Sequence, residues 1–396
     1  MTEIECFEQI LDLKEIQIER IDWQKHSIHI YCSSSFEEAI CPHCIKKTNV
    51  IHQKYERQFR DLPITGKEVH LHLHQRRFYC SDCNKYFNER FSFVDSNRKT
   101  TRRYERHVYE YTKNSTPQKI SAQENLSWHT VNEIHKRWSS EEIASRHVGK
   151  VRVIGMDEFA VKKGHRNYAT VIVDLERVEI IDILDYREQK KLIDYFENRG
   201  ADWCKEIEVF CSDMWRGFFG TAKSVFPNAT LVVDRFHFFG YLNKAIDNER
   251  KALRRKFKTQ EEFKRLKWAL LKDPTGLTDT QKNKLDKVFL LCPQLKLLYN
   301  QKEKIRFIFN KRLTHEQGEI ELNKWIDEAK KLNNRYLNTF LEMLNNWKEY
   351  VLNYFSHRFT TSIIEGINNT IKTVKRMGYG FRNFGNFKLR ILTSFA

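Results

Sequence analysis

Two Cys-x-x-Cys pairs, Cys41-Pro-His-Cys44 and Cys80-Ser-Asp-Cys83, stand 35 residues apart. No other feature restricts so sharply what the chain can fold into. Four thiolates in two pairs suit a tetrahedral zinc ion, because each short turn places two sulfurs on one side of the metal. Disulfides are the competing arrangement, and a reducing compartment disfavours them. The intervening segment is long for a zinc ribbon. Within it, residues 53–60 and 69–78 read as strands, the second alternating as VHLHLHQRRF. Paired as a hairpin, they bring the cysteine turns together around one structural Zn²⁺. His70, His72 and His74 then share one strand face. With no carboxylate or thiolate at matching spacing, they read as a solvated or DNA-facing edge rather than a second metal site. Cys6, Cys32, Cys204, Cys211 and Cys292 are unpaired in sequence and read as small buried hydrophobes.

Charge indicates the kind of partner. The 396 residues carry 69 Lys+Arg and 52 Asp+Glu, a net +17, so a polyanion is the first candidate. The surplus is uneven along the chain. Residues 1–40 hold 3 basic and 9 acidic side chains, whereas 41–150 hold 21 and 12. Residues 244–312 hold 20 and 8, and 356–396 hold 7 basic residues and a single acid, Glu365. Three separated basic segments favour nucleic acid over solvated helix faces. With 40% hydrophobic and 13% aromatic residues the chain can fill real cores, and its length predicts two or three domains. No apolar run approaches the roughly 18 residues a membrane span needs. The N-terminus, MTEIECFEQI, is acidic where an export signal is basic and then apolar. The expectation is a cytoplasmic protein without a membrane partner.

Beyond Asn97 the pattern turns helical. A basic stretch over 98–113 leads to Thr116-Pro117, an N-cap followed by a first-turn proline, and a short helix over 117–125. Ser127 can cap a further helix running through Trp138. Val131, Ile134 and Trp138 share one face of it. The other presents His129, Thr130, Asn132, Glu133, Lys136 and Arg137. That mixture suits base edges and phosphates if the helix enters a major groove, so His129, Thr130, Asn132, Lys136 and Arg137 are DNA-contact candidates. Paired short helices also occur in many all-α proteins; the adjoining zinc module favours a helix-turn-helix.

From Arg152 short apolar runs take over. RVIGMDEF, YATVIVDL and EIIDILDY read as strands, EQKKLIDYFENRG as a helix, IEVFCSD as a strand, MWRGFFGTAKSVF as a helix and TLVVDRF as a strand. Asp157 ends the first strand and Asp213 the fourth. The order β-β-β-α-β-α-β, with acids at these ends, resembles the ribonuclease-H-like fold of polynucleotidyl transferases. In that fold the two strands are neighbours, so the carboxylates face each other. Adjacent carboxylates repel and are stable together mainly around a divalent cation. Glu365 is the natural third ligand, and Asn369, Lys372 and Arg376 follow it at helical i+4, i+7 and i+11, with Lys375 alongside. Ser362-Ile-Ile-Glu365 also fits a capping box, but the solitary acid of a basic tail argues for a ligand. Glu158 neighbours Asp157, and strand alternation admits only one of them to the site. Asp234 and His237 are kept as second-tier residues, together with Asn369.

With these residues in view, the chain resembles the ISL-three family of bacterial insertion-sequence transposases, a branch of the Asp-Asp-Glu superfamily. The likeness is carried by CPHC and CSDC, RRFYC, IGMDEF, CSDMWRGF, FPNATLVVDRFH and IIEGINNTIKTVKRMGYGFRNF, in that order. It implies that Asp157, Asp213 and Glu365 form a catalytic triad holding two Mg²⁺ or Mn²⁺ ions, and that Cys41, Cys44, Cys80 and Cys83 hold zinc. It further implies a multidomain α+β and α/β protein acting on double-stranded DNA, both transposon ends and target, as a homodimer or larger assembly. The expected divisions are a zinc-binding domain (1–95), a helix-turn-helix (96–148), a ribonuclease-H-like catalytic core (149–235), an all-helical insertion (236–355), and the last catalytic helix with a basic tail (356–396). The rival readings are a sequence-specific DNA-binding regulator with an inert core and a metal-dependent nuclease or resolvase.

Overall fold

The computed structural model describes residues 2–146, 149–161, 168–256, 263, 265–378, 381 and 383–394. Tyr379, Gly380 and Arg382 of the C-terminal motif lie outside the described residues. The chain forms two compact units, Met1–Ser145 and Arg146–Phe395.

The first unit opens with α1 (Glu3–Leu11), whose Thr2 and Glu5 close a capping box. Strands β1 (Ile16–Trp23), β2 (Ser27–Ser34), β3 (Ala39–Ile40), β4 (Lys47–Thr48), β5 (Ile51–Ile64), β6 (Lys67–Cys80) and β7 (Lys85–Asn88) follow. The main sheet runs β1-β2-β6-β5 with β7 also on β6; β2 and β6 are parallel and the other pairs antiparallel. The β5–β6 hairpin is longer than the sequence pattern suggests because Thr65 (φ 51°) and Gly66 (φ 77°) both take left-handed conformations, which suit a tight hairpin turn. Along β6, Val69, Leu71 and Leu73 are buried and pack with Phe7, Ile28, Ile30, Phe59 and Phe93. The histidines between them take the other face.

Three helices complete this unit: α2 (Arg102–Lys113), α3 (Pro117–Glu124) and α4 (Trp128–Ser145). Thr101 and Thr116 cap the first two, and Asn125 (φ 50°) ends α3 in a left-handed turn. Val131 and Ile134 pack on Tyr104, Val108, Tyr109 and Ile120, with Trp138 at the margin. Helix α4 continues beyond the expected end at Trp138 because its next turn still has partners. Ser139 is buried, and Glu142 accepts hydrogen bonds from the Tyr109 hydroxyl (2.8 Å) and Lys113 (3.0 Å).

The second unit contains β8 (Val153–Ala160), β9 (Tyr168–Asp174), β10 (Glu179–Leu184), α5 (Gln189–Arg199), α6 (Ala201–Lys205), β11 (Val209–Ser212), α7 (Arg216–Val225) and β12 (Thr230–Val233). The sheet order is β10-β9-β8-β11-β12. Strand β9 is antiparallel to both neighbours, while β8, β11 and β12 are mutually parallel. Among the described residues six α-helices follow: α8 (Arg235–Lys256), α9 (Leu266–Leu271), α10 (Asp279–Leu291), α11 (Pro293–Asn310), α12 (His315–Lys331) and α13 (Arg335–His357). Phe238 of α8 stacks on Phe309 of α11 at 5.0 Å and meets Phe340 of α13 at 5.4 Å. Helix α13 also packs on the sheet unit: Asn353 donates to the Leu231 carbonyl (2.8 Å), and Trp347 meets Phe219 of α7 edge-on at 4.8 Å.

Helices α14 (Ser362–Met377) and α15 (Phe384–Ser394) end the described chain. Helix α14 advances in the same direction as β8. Ile364 lies over Gly155, Asn368 bonds Asp157, and Lys375 donates to the Ala160 carbonyl (3.1 Å). A Cβ at Gly155 would sit 2.8 Å from Ile364 Cδ1 and from Leu175 Cδ2, so the helix approaches this closely only over a glycine. Among the described residues no helix is long and apolar enough to cross a membrane.

Candidate active site and zinc cluster

The hairpin closes the cysteine cluster. Cys41 Sγ lies 3.6 Å from Cys83 Sγ and Cys44 Sγ 3.5 Å from Cys80 Sγ, and all four sulfurs lie within 4.8 Å of one another. A tetrahedral zinc with bonds of about 2.3 Å sets thiolates about 3.8 Å apart, so the site matches one ion and is too open for disulfides. Each pair ends in a left-handed residue, Ile45 (φ 64°) and Asn84 (φ 54°). Asn tolerates that conformation and β-branched Ile does not. Burial raises the Cys41 thiol, but the backbone amides of His43 and Cys44 outweigh it and hold the group at about 7. Burial and hydrogen bonding to Cys41 push Cys83 up to about 12. Four thiols in this space therefore ionise together only with a cation between them.

Cross-strand register gives His72 partners that linear spacing does not show: it contacts Glu56 of β5 at 2.7 Å and His29 of β2 at 2.9 Å. His70 lies 3.3 Å from Glu68, two residues earlier on the same face of β6, so the strand does carry a carboxylate at matching spacing. Among the described residues the β6 histidines form no group of three metal-ligating atoms.

On α4, His129 and Lys136 are exposed. Thr130 Oγ1 contacts the Ser127 hydroxyl (2.8 Å), and the Thr130 amide donates to it (3.0 Å), so Ser127 caps the helix. Asn132 donates back to the Trp128 carbonyl (2.8 Å). Arg137 is turned toward carboxylates of its own unit: Glu105 (2.9 Å), Glu141 (3.1 Å) and Asp95. Its charge is used internally, and Glu105 is almost fully buried beneath it.

In the second unit the register builds the acidic site. Met156 pairs with Ser212, and Ser212 with Val233, so Asp157, Asp213 and Asp234 each stand one residue beyond that level. Asp157 does not end its strand as the sequence suggests: β8 runs on to Ala160 because these residues stay paired with β9, whereas Asp213 and Asp234 directly follow β11 and β12. Asp157 accepts the Glu158 amide on Oδ1 (2.8 Å) and the Asn368 Nδ2 on Oδ2 (2.9 Å). Burial pushes Asp157 up to about 6; the Glu158 amide and His237 oppose this, and Asp213 adds to it. Burial likewise raises Asp213, with His237 opposing and Glu158 adding. The two acids thus share one field with His237. Glu158 points elsewhere, to Arg187 (2.5 Å), whose guanidinium lies 4.3 Å over the Tyr168 ring.

Asp234 is fully buried and serves the framework. It accepts the Thr361 amide (2.9 Å), tying β12 to the start of α14, and the His237 amide (3.2 Å), capping α8. His237 sits on that first turn, 4.0 Å from the Asp234 carboxylate.

Glu365 is exposed on the first turn of α14, where the N-cap Thr361 makes no side-chain cap bond. No capping box forms. Neither is a closed three-acid cluster present among the described residues. Asn369 faces outward and accepts from Lys372 (3.3 Å); Lys372 and Arg376 are exposed. The residue of α14 that reaches Asp157 is Asn368, which the sequence reading passed over in favour of Asn369. Its signal was available: Ile364, Ile367, Asn368, Ile371 and Val374 form the buried stripe, and one of the five is polar. The Asn368 Oδ1 is buried and accepts no hydrogen bond, an orphan worth about 1–3 kcal/mol. Half-buried carboxylates, an orphaned amide oxygen and a nearby exposed carboxylate are hard oxygen donors suited to Mg²⁺ or Mn²⁺.

A zinc cluster beside three short helices, and a second unit with paired acids on parallel strands, are features of a DNA-cutting and joining enzyme, a transposase. Residues 154–391 match the DDE-type ISL3 transposase family, 37–83 the zinc finger of transposases IS204/IS1001/IS1096/IS1165, and 89–139 the helix-turn-helix domain of transposase family ISL3. The chain belongs to the ISL3 transposase family. It is 29% identical over 388 residues to the transposase for insertion sequence element IS1001 of Bordetella parapertussis, covering 96% of this chain and 95% of that protein. It is 26% identical over 287 residues to the transposase for insertion sequence element IS1557 of Mycobacterium tuberculosis, covering 65% of this chain and 63% of that protein.

Proposed function

We propose that this transposase binds the terminal inverted repeats of its insertion sequence and carries out Mg²⁺-dependent strand cleavage and strand transfer at Asp157, Asp213 and Glu365. The observation that carries the reading is the position of Asp157, inside β8, beside Asp213, which directly follows the parallel neighbour β11; both are half-buried and both are raised. Glu365 lies one turn ahead of Asn368, about 4.5 Å along the helix axis, within the reach of a glutamate side chain. The sheet order β10-β9-β8-β11-β12, with only β9 antiparallel, supports a ribonuclease-H-like core. Helices α8 to α13 read as its insertion, and the domain divisions given by the sequence remain our assignment.

Two Mg²⁺ ions, when bound, would activate the attacking oxygen and stabilise the leaving one. The chain's own part is to hold three carboxylates at one point and to bring phosphates there with Lys372, Lys375 and Arg376. His237, beside both acids, is in place to steady their charge. In the first unit, His129, Thr130, Asn132 and Lys136 of α4 read the terminal repeat, while Arg137 braces the helix. We assign the protein to bacterial cytoplasm, acting on chromosomal or plasmid DNA as a homodimer or larger assembly.

The test is incubation with end DNA and Mg²⁺, mapping nicks to the nucleotide. Asp157→Ala, Asp213→Ala and Glu365→Ala should each abolish cleavage and leave end binding nearly intact. Substantial cleavage by any of the three would remove that residue from the triad.

A further inference from the structure

We infer that Asn368 is a positioning residue of the divalent-cation site and supplies it with a neutral oxygen. This inference presupposes the cation site proposed at Asp157 and Asp213. The carboxamide has two ends with different circumstances. Its Nδ2 donates to Asp157 Oδ2 at 2.9 Å, while Oδ1 is buried without a donor. With the Glu158 amide on Oδ1 of Asp157, both oxygens of that carboxylate are held and its rotamer is set. Turning the Asn368 amide over would satisfy nothing, since it would place an oxygen against a carboxylate and leave Nδ2 without its acceptor. The orphaned oxygen therefore stays beside Asp157, on the residue three positions after Glu365.

An amide oxygen is a good ligand for a hard cation and adds no charge to a site that already has several acids. The rest of the buried α14 stripe is aliphatic, Ile364, Ile367, Ile371 and Val374. A helix needing only to pack on β8 would place an aliphatic residue at 368 as well. A polar group there, half satisfied by a metal-ligand candidate, has its explanation in what binds beside it.

Mn²⁺ alone is the probe, titrated into the full-length protein and followed by electron paramagnetic resonance of the free ion, with metal-free melting recorded in parallel. Asn368→Ala should weaken Mn²⁺ binding about tenfold or more, in line with the loss of a partner that orients a metal ligand. Asn369→Ala should stay within about twofold of the unmodified protein, as its side chain faces outward. Asn368→Asp should restore binding by returning an oxygen, while its metal-free melting temperature falls because carboxylate then faces carboxylate. If Asn368→Ala binds Mn²⁺ as the unmodified protein does while Asp157→Ala does not, the inference is overturned and the cation site stands. If Asp157→Ala and Asp213→Ala also bind normally, the cation site itself is wrong and the inference falls with it.

Discussion

Replacing Asp157 with Asn should stabilise the metal-free protein, and the gain should depend on pH. In the fold this carboxyl titrates at about 6, against 3.8 when free. Below about pH 4 it is protonated in both folded and unfolded chains, and burial costs nothing through ionisation. Between 4 and 6 the unfolded chain releases the proton while the folded chain keeps it, so folding stability is lost as pH rises. Above 6 the loss is complete. A gap of about two pH units corresponds to about 3 kcal/mol. Asparagine cannot ionise and escapes this loss. Its Oδ1 can still accept the Glu158 amide, and its Nδ2 can donate to a turned Asn368, giving the orphaned oxygen a partner. Denaturant unfolding at pH 4 and pH 8 in a chelator should show Asp157→Asn near the unmodified protein at the lower pH and up to about 3 kcal/mol above it at the higher. With millimolar Mg²⁺ at pH 8 the order should narrow or reverse, because the ion stabilises only the chain that keeps the carboxylate. Equal stability of the two proteins at pH 8 without metal would refute the claim that this acid is held against its ionisation.

In the first unit, Cys80→Ser should abolish retention of one zinc per chain and unfold the zinc-binding part, since structural zinc contributes roughly 10–16 kcal/mol of binding. Metal analysis of the purified variant checks this, and a retained full equivalent of zinc would count against the cluster. Ile45→Asn should raise the unfolding free energy of this unit by about 1 kcal/mol, measured by denaturant titration, because it relieves a β-branched residue in a left-handed turn at a largely exposed position. Lys136→Ala should weaken end binding and lower the slope of log affinity against log salt by about one. Arg137→Ala should instead destabilise the unit by about 2 kcal/mol, leaving Glu105 buried with fewer partners; a pure binding defect with normal melting would return Arg137 to the DNA-contact set.

Much of the architecture was legible because it is written in local pattern. Alternation along 69–78 gave the central strand, Thr116-Pro117 the entry to α3, and the apolar runs after Arg152 the strand order. The cysteine cluster was also legible, since two short turns at metal-ligand spacing need only a hairpin to meet. That Asp157 and Asp213 come close together was legible because acids stand out within apolar strand runs, although β8 continues past Asp157 to Ala160.

What remained hidden depended on register and on helix rotation. Whether Asn368 or Asn369 meets Asp157 is a matter of one residue, about 100° around α14, decided by where Ile364 settles over Gly155. The roles of Asp234 and Arg137 were equally undecided in the sequence, because a buried carboxylate that ties strand to helix and an arginine that braces three acids have the same composition as a ligand and a phosphate contact. The sequence by itself determined the two pairs of cysteines, the order of the elements and the uneven charge that marks a DNA-acting protein. The tertiary structure alone decided which polar groups face one another, since that depends on strands and helices far apart in the chain coming to rest at a single register.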